Sequence, residues 1–289
     1  PQGFRAAGIA AGIKEADAPD LALLVSDRDA AAAGAFTTNA FVAAPVQYDR
    51  EIIAQGGPVR AVVINSGNAS ACTGVRGLGD VGHMAERAAE RLDIDRNAVL
   101  VSSTGRIGVH LSMDTVLKGI DKAVSSLSTA GGQDAARAIM TTDTVPKSAA
   151  VRVDVDGHIV TIGGMAKGAG MIGPRLQTER TPQATLLSFV TTDAVVDRSF
   201  LENCLRAATE KSFNRITVDG DMSTNDTVIA LANSASTAPV LAAGSRGSEI
   251  FKEAFVALLG FLAREIILDA EGVTRFVELR VVGAKTEED

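Results

Sequence analysis

The sequence has few aromatic residues: tryptophan is absent, tyrosine occurs once, and ten phenylalanines make up the rest. A core with so few large rings has to be packed from alanine, valine, isoleucine and leucine, and 46% of the residues are hydrophobic. Glycine occurs 28 times, which indicates close packing between backbone segments. A chain of 289 residues with this composition can bury a large core, in one large domain or two smaller ones.

Clustered positive charge and long apolar runs are lacking as well. The net charge is −7 and no run of Lys or Arg occurs, so the footprint of a nucleic-acid-binding protein is absent. No apolar stretch reaches the roughly 18 residues of a membrane helix, and none has the pattern of a signal peptide. We therefore expect no nucleic-acid partner, no membrane partner and a cytoplasmic location.

Cysteine and histidine are also scarce. Cys72 and Cys204 do not make a disulfide framework, which fits a reduced cytoplasmic setting. The three histidines have no second His or Cys at metal-binding spacing, so we expect no metal. His110, the one nearest a candidate site residue, is interpreted as a surface or partly buried side chain.

Short apolar segments and segments of helical period share the chain. We predict strands at 22–26, 35–38, 61–65, 99–102, 149–155, 158–162, 184–190, 227–231 and 276–282, and helices at 82–92, 114–127, 133–140, 198–210 and 248–262. Asp156-Gly157 between two alternating runs is a strong hairpin signal. Because strands and helices do not alternate regularly, the sequence favours layered α/β or α+β packing over a doubly wound sheet.

A glycine-rich and then polar stretch, residues 163–183, leads to Thr185 at the start of an apolar strand. Self-cleavage needs a hydroxyl that reaches the preceding carbonyl, here that of Ala184, and a loop that tolerates strain. Cleavage would leave Thr185 a free α-amine, whose ordinary pKa of about 7.7–8.0 suits a base for its own hydroxyl. The residues alone favour the simpler interpretation, that Thr185 is an ordinary strand residue.

The same stretch also fits a second pattern. Gly168, Gly170 and Gly173 match the G-x-G-x-x-G of dinucleotide sites, and Asp193 follows at about the right distance. In that motif the third glycine opens a helix, whereas here Pro174 and a polar segment follow. The pattern therefore predicts no helix N-terminus for a pyrophosphate.

Three other polar clusters have functional and ordinary interpretations. Thr104 and Gly105 follow an apolar strand, where backbone N–H groups could stabilise an oxyanion, although a plain turn is the simpler alternative. Residues 138–143 are interpreted as local hydrogen bonding at a helix end. Residues 219–227 are interpreted as a solvated turn, because a calcium loop of the EF-hand type would need spaced ligands and a terminal Glu.

Taken together, nine segments resemble the ornithine acetyltransferase (glutamate N-acetyltransferase) family of arginine biosynthesis. They occur in the family's order and span nearly the whole chain: Gly3–Gly8, Asn65–Gly74, Ser103–Gly105, Ala138–Thr144 with Pro146 and Lys147, Gly164–Ile172, Ala184–Leu187, Thr191–Asp193, Asp219–Asp221 with Ser223–Thr227, and Asp269–Gly272. Nine matches in order favour the functional interpretation of Thr185.

The resemblance implies a role for several residues. Thr185 matches the threonine that cleaves the precursor after Ala184 and then accepts the acetyl group, while Thr104 and Gly105 match the oxyanion hole. The substrate-binding positions, by resemblance, are Thr141, Lys167, Thr185 and Glu271. The implied reaction moves acetyl from N2-acetylornithine to Thr185 and then to glutamate, with ping-pong kinetics. No metal or organic cofactor is implied; some family members also take acetyl from acetyl-CoA, and this co-substrate stays open.

The resemblance also implies the fold and assembly. We expect a layered αββα sandwich, similar to N-terminal-nucleophile hydrolases but wound differently. Cleavage would divide the chain into an α part, residues 1–184, and a β part, residues 185–289, which stay together in an α2β2 assembly.

Two departures from the family pattern keep alternatives open. Residues 177–183 are inserted just before the scissile bond, which could slow or abolish cleavage. The resemblance also implies roughly another hundred residues after Gly283, with a Pro-Asn-Trp-Gly segment and a final Asn and Thr or Ser of the substrate site, and this sequence contains none of them. The alternatives are a self-processing aminopeptidase or amidase, a truncated non-catalytic remnant that stays one chain and, last, a dinucleotide binder. Lys167 and Glu271 favour the acetyltransferase, because they suit a charged amino-acid substrate.

Overall fold

Alternating apolar residues form the strands of the fold, and longer segments with one apolar face form its helices. The computed structural model describes residues 1–173, 176, 186–241 and 243–286. The strands are β1 Phe4–Ile9, β2 Leu21–Phe36, β3 Val59–Asn68, β4 Val99–Arg106, β5 Lys147–Val155, β6 His158–Lys167, β7 Leu187–Thr192 and β8 Thr227–Ala232. The helices are α1 Ala44–Gln55, α2 Gly74–Leu92, α3 Met113–Ser125, α4 Gly132–Ala138, α5 Arg198–Lys211 and α6 Arg246–Leu268.

Strand β2 links two sheets. Its 16 residues pair with β1 and β3 over the first part and with β8 over the second, and the register shifts between Val25 and Ala30. The strand order is β4-β3-β2-β8-β7-β6-β5, with β1 pairing β2 off this path. The late strands β7 and β8 therefore lie between β2 and β6, which come from the first part of the chain.

Three large apolar clusters separate four layers, and a small fourth cluster holds Ala43, Ala69 and Ala71. The central core joins the two sheets and contains Leu24 and Ile64 of one sheet with Met165 and Phe189 of the other. On the outer face of β1–β4, the helices α2 and α3 pack over the strands. On the outer face of β5–β8, the helices α5 and α6 do the same. This confirms the expected α/β fold with αββα layers.

Helices α5 and α6 begin at side-chain caps and meet through aromatic rings. The Asp197 carboxylate accepts a hydrogen bond from Phe200 N, and Ser245 Oγ accepts one from Ser248 N. The Phe251 ring lies 6.1 Å from that of Phe200 and 6.0 Å from that of Phe255, centroid to centroid. Each such buried ring stabilises the fold by roughly 1.5–3 kcal/mol. No helix within the described ranges has the length and apolar character needed to cross a bilayer.

Most predicted elements are present, with changed bounds. The hairpin at Asp156-Gly157 is confirmed, and both residues have positive φ. The two predicted strands at 22–26 and 35–38 are one continuous strand, β2. The strand predicted at 276–282 is wrong: this segment contains no regular element, and Val277, Leu279, Val281 and Val282 are 72–88% exposed. An apolar run forms a strand only where a neighbouring strand accepts its hydrogen bonds.

One end of the sandwich gathers several strand ends. The parallel strands β3 and β4 end there, at Asn68 and Arg106. Strand β6 ends there at Lys167, opposite Leu187, where β7 begins. Strand β8 begins beside β7, because Leu187 pairs with Thr227. Side chains far apart in the sequence therefore meet at this end.

Candidate functional site

A cleft of about 610 Å³ lies at this end of the sandwich. It is lined by all the sequence-predicted site residues that the structure describes: Thr104, Gly105, Thr141, Lys167 and Glu271. Thr185 and Ala184, with the 177–183 insert, lie outside the described residues. Residues predicted one at a time from separate segments thus line a single space.

Thr104 and Gly105 lie at the end of β4, where the strand departs from regular pairing. Asn68 of β3 pairs with both Thr104 and Arg106, so the register shifts around Gly105. Gly105 has φ +131°, and a Cβ there would lie 2.4 Å from the backbone carbon of Gly67. Only glycine fits this close approach. At this irregular strand end Thr104 is buried and Gly105 is exposed, and both line the cleft.

Lys167 extends into the cleft from the end of β6 and is almost fully buried. Its Nζ lies 3.4 Å from Thr104 Oγ1 and 4.0 Å from Asp143 Oδ2. Burial lowers the pKa of Lys167, since an ammonium loses hydration there, while the nearby Asp143 carboxylate partly offsets this. A cation therefore contacts the predicted oxyanion residue.

Asp143 binds several groups below the cleft. Its Oδ1 accepts hydrogen bonds from Lys147 Nζ and from Gly168 N, both at 2.7 Å. Its Oδ2 accepts one from Thr141 N at 2.9 Å. Burial disfavours the ionised form of Asp143, but Lys167, Lys147 and these hydrogen bonds outweigh it and hold the pKa below its ordinary value. This carboxylate is more than the local helix-end contact that we predicted.

Glu271 reaches the cleft from the segment after α6. Its backbone N–H donates to Ala169 O at 2.8 Å. Its carboxylate lies against Gly170, where a Cβ would come within 2.5 Å of Glu271 Cδ. The glycine-rich strand end and the segment after α6 therefore fix each other at the cleft wall.

Lys14 also lines the cleft, although nothing in the sequence predicted it as a site residue. The loop before it wraps around the buried Asp20, whose carboxylate accepts hydrogen bonds from the backbone N–H groups of residues 11–14. Lys14 Nζ donates to Met140 O at 2.6 Å, and burial lowers its pKa. Its Nζ also donates to Pro19 O at 2.9 Å, but the contact with Met140 joins segments 126 positions apart, which a local pattern does not predict.

Residues 223–227 are buried, so the prediction of a solvated turn is wrong for this part of the segment. Asn225 lines the cleft, and its Nδ2 donates to Ala69 O at 2.6 Å and to Ser103 O at 2.8 Å. These bonds hold the loop after β3 beside the end of β4. The functional signal was available only in the family resemblance, because polar composition alone predicts a solvated turn.

The remaining candidates have other roles. Asp193 accepts hydrogen bonds from Gln2 N at 2.9 Å and Thr161 N at 2.8 Å, so it does not serve a nucleotide ribose. Asp219 accepts from Met171 N and Ile172 N and thereby fixes the glycine-rich segment. His110 is exposed. Across the part of the chain that the structure describes, no group of His, Cys, Asp and Glu has the arrangement of a metal site.

Comparison with known proteins matches the chain to one family over nearly its whole length. A model described as the ArgJ family matches residues 5–289. The arginine biosynthesis bifunctional protein ArgJ of Symbiobacterium thermophilum is 52% identical over 291 residues, which cover 100% of this chain and 70% of that protein. The protein of the same name from Streptomyces avermitilis is 50% identical over 289 residues, covering 100% and 71%.

Solved structures agree. The ornithine acetyltransferase of Mycobacterium tuberculosis, complexed with ornithine, is 43% identical with a TM-score of 0.54, covering 61% of this chain and 94% of that chain. An L-aminopeptidase D-Ala-esterase/amidase of Ochrobactrum anthropi, a variant of the Ntn hydrolase fold, has a TM-score of 0.56 at 13% identity, covering 93% and 85%. At that identity the second likeness concerns the fold alone.

Proposed function

Because this chain belongs to the ArgJ family, and so is an acetyltransferase of arginine biosynthesis, we propose that it moves acetyl from N2-acetylornithine to glutamate through an acetyl-Thr185 intermediate. The intermediate forms after the chain cuts itself between Ala184 and Thr185. The observation that carries the proposal is the meeting of Thr104, Gly105, Thr141, Lys167 and Glu271 around one cleft. Thr104 and Gly105 belong to one segment of the family pattern, and Thr141, Lys167 and Glu271 each belong to another.

Thr104 and Gly105 supply the oxyanion hole in this proposal. An ammonium has only donors, so at 3.4 Å Lys167 Nζ donates to Thr104 Oγ1. The Thr104 hydroxyl hydrogen is then free to point at the oxygen of an acetyl carbonyl, with the Gly105 N–H as the second donor. The nearby cation strengthens that donor, because it polarises the hydroxyl. Such donors act on the charge that develops in the tetrahedral intermediate.

The charged groups of the cleft suit amino-acid substrates. Lys167 and Lys14 offer positive charge to an α-carboxylate, and Glu271 offers negative charge to an ammonium group. Thr185 attacks the acetyl carbonyl of N2-acetylornithine, its α-amine takes the hydroxyl proton, and the ornithine amine leaves with a proton. Glutamate then enters and its amine takes the acetyl group from Thr185. The ornithine nitrogen loses an acetyl group and gains a proton, and the glutamate nitrogen loses a proton and gains the acetyl group, so atoms and charge balance.

The experiment that tests the proposal compares the wild type with Thr185→Ala. The wild type should give two fragments that break between Ala184 and Thr185, and a mass gain of one acetyl group on the Thr185 fragment after exposure to N2-acetylornithine. Thr185→Ala should stay one chain without transfer. Thr191→Ala, a matched threonine of β7 that the proposal leaves out of the cleft, should behave as the wild type. An uncleaved wild type, or transfer by Thr185→Ala, contradicts the proposal.

The oxyanion hole has its own test. Thr104→Ala should lower kcat by roughly 10²–10³-fold while the protein stays folded, because one donor to the oxyanion is lost. Initial rates at varied N2-acetylornithine and glutamate should give parallel double-reciprocal lines, the mark of a ping-pong reaction. Intersecting lines contradict the acetyl-enzyme. Replacing N2-acetylornithine by acetyl-CoA in this assay decides whether that co-substrate is used.

The assembly is proposed as two α parts, residues 1–184, with two β parts, residues 185–289. Strands β7 and β8 of the β part lie between β2 and β6 of the α part, which supports the parts staying together after cleavage. Native mass spectrometry should give twice the mass of the full chain. A mass equal to one chain contradicts the α2β2 assembly.

A further inference from the structure

We propose that Asp143 and Lys147 form a buried positioning pair that holds Thr141, Lys167 and Glu271, three of the four proposed substrate-binding residues, in place, an inference that rests on the proposed acetyl transfer. Neither residue lines the cleft, so neither is offered as a catalytic residue. Their side chains are fully buried beneath it.

Asp143 binds two of the three substrate-binding segments directly. One carboxylate oxygen accepts from Thr141 N at 2.9 Å and lies 4.0 Å from Lys167 Nζ. The other accepts from Gly168 N at 2.7 Å, the residue next to Lys167. A single carboxylate therefore fixes both the backbone and the charged end of Lys167 while orienting Thr141.

Lys147 connects Asp143 to the third segment. Its Nζ donates to Asp143 Oδ1 at 2.7 Å and to Asp269 Oδ2 at 2.5 Å. Asp269 ends α6 and also accepts hydrogen bonds from Thr144 N and Thr144 Oγ1. Glu271 follows two residues later and binds Ala169 O through its backbone. The end of α6 is therefore attached to the same charged cluster as Lys167.

The cluster is balanced in charge. Lys147 and Lys167 oppose Asp143 and Asp269, so two cations meet two anions. Buried charges are costly unless they are paired, so removing one member unbalances the other three. Such a cluster fixes both the position and the ionisation of Lys167.

The two members of the pair act on Lys167 with opposite signs. The charged groups that face Lys167 are Lys14, Asp143, Lys147, Asp226 and Glu271. Asp143 raises the pKa of Lys167 and Lys147 lowers it, against the larger lowering by burial. Loss of Asp143 alone should lower the pKa of Lys167, and loss of Lys147 alone should raise it. General loosening of the site should not give shifts of opposite sign.

The test compares Asp143→Asn, Lys147→Met and Lys147→Arg with the wild type. Asp143→Asn should raise KM for glutamate about tenfold or more, since small misplacement of binding groups is costly. The alkaline fall of kcat/KM should move to lower pH in Asp143→Asn and to higher pH in Lys147→Met. Lys147→Arg keeps the charge and should leave the fall near its wild-type pH. Lys118→Met, on α3 beside α2 and away from the cleft, should leave both quantities unchanged.

A second readout does not depend on catalysis. The chain labelled with ¹³Cε-lysine gives the pKa of Lys167 by NMR titration, with the signal identified by its loss in Lys167→Met. The expected result is a lower pKa in Asp143→Asn and a higher one in Lys147→Met. Equal or same-direction shifts overturn the positioning pair, whether or not the wild type transfers acetyl. A wild type that transfers no acetyl while these opposite shifts are seen overturns the proposed function and leaves the pair supported.

Discussion

Two buried carboxylates in this molecule have very different neighbours. Asp143, under the cleft, contacts Lys147 and Lys167, and its pKa lies below the ordinary value. Asp49, on α1, accepts one hydrogen bond from Val101 N at 2.8 Å, and its Oδ2 has no hydrogen-bond partner within the described residues. Burial raises the pKa of Asp49 well above the ordinary value. Both carboxyl groups are buried, so the presence or absence of a neighbouring cation decides the direction in which each pKa moves.

The difference has a consequence for stability against pH. Asp143 is ionised in the fold, so its contribution is present above the ordinary pKa of about 3.9 and is lost as the pH falls below it. The pKa of Asp49 is raised in the fold, so its contribution is complete below about pH 3.9 and is lost as the pH rises through the raised pKa. As the pH rises from acid towards neutral, Asp143 therefore stabilises the folded protein, whereas Asp49 destabilises it.

Removing the paired carboxylate should have the largest effect. Asp143→Ala leaves Lys147 and Lys167 buried without the carboxylate that contacts both of them, which should cost about 3–5 kcal/mol of unfolding free energy. Urea unfolding at neutral pH measures this cost. A loss below about 1 kcal/mol would show that the cluster is not desolvated as described.

Neutralising the lone carboxylate should have a smaller effect of opposite sign. Asp49→Asn keeps an acceptor for Val101 N and removes the ionisation that favours the unfolded chain. Relative to the wild type, the variant should gain up to about 1.4 kcal/mol as the pH rises by one unit from about pH 4, because Asp49 of the wild type then ionises mainly in the unfolded chain. Thermal unfolding across that range measures how the difference in unfolding free energy between variant and wild type changes with pH. A difference that does not change with pH would contradict the raised pKa of Asp49.

An exposed ion pair should show the smallest effect. Arg5 and Asp27 are in contact at 2.8 Å, with side chains 39% and 46% exposed. Asp27→Asn should cost less than about 1 kcal/mol and lose that effect in high salt, because water and ions screen the pair. The same urea assay, run at low and high salt, measures it. A cost as large as that of Asp143→Ala would mean that burial is not what separates these sites.

Local patterns predicted those parts of the fold that depend on neighbouring residues. The start of α5 and the hairpin at Asp156-Gly157 were predicted correctly, and the start of α6 was predicted two residues late, because each is set within a few residues. Strand β2 was divided in two because Asp27, Arg28 and Asp29 interrupt its apolar pattern, although they are exposed at a register shift. Helix α1 was missed, since it has no side-chain cap and its apolar pattern is weak.

The site residues were predictable only from the nine segments that match the family in order. From the residues alone Thr104 was a plain turn, and nothing placed it near Lys167, which is 63 positions later. Asn225 looked solvated because its carbonyl partners, on Ala69 and Ser103, lie more than a hundred positions away. Hydrogen bonds of this span are a property of the folded sheet. Thr185 stays a prediction, since it lies outside the described residues.

The strand order makes the proposed cut a one-way step. Cleavage between Ala184 and Thr185 would leave β7 and β8 on one product, pairing β6 and β2 of the other through complete ladders. The two products could separate only if the central sheet unfolded. A denatured, processed molecule would then have to recover by the collision of two chains, at a rate set by concentration, whereas the uncut precursor folds as one. The processed protein would therefore persist because it unfolds slowly, and it would refold less readily than the uncut chain.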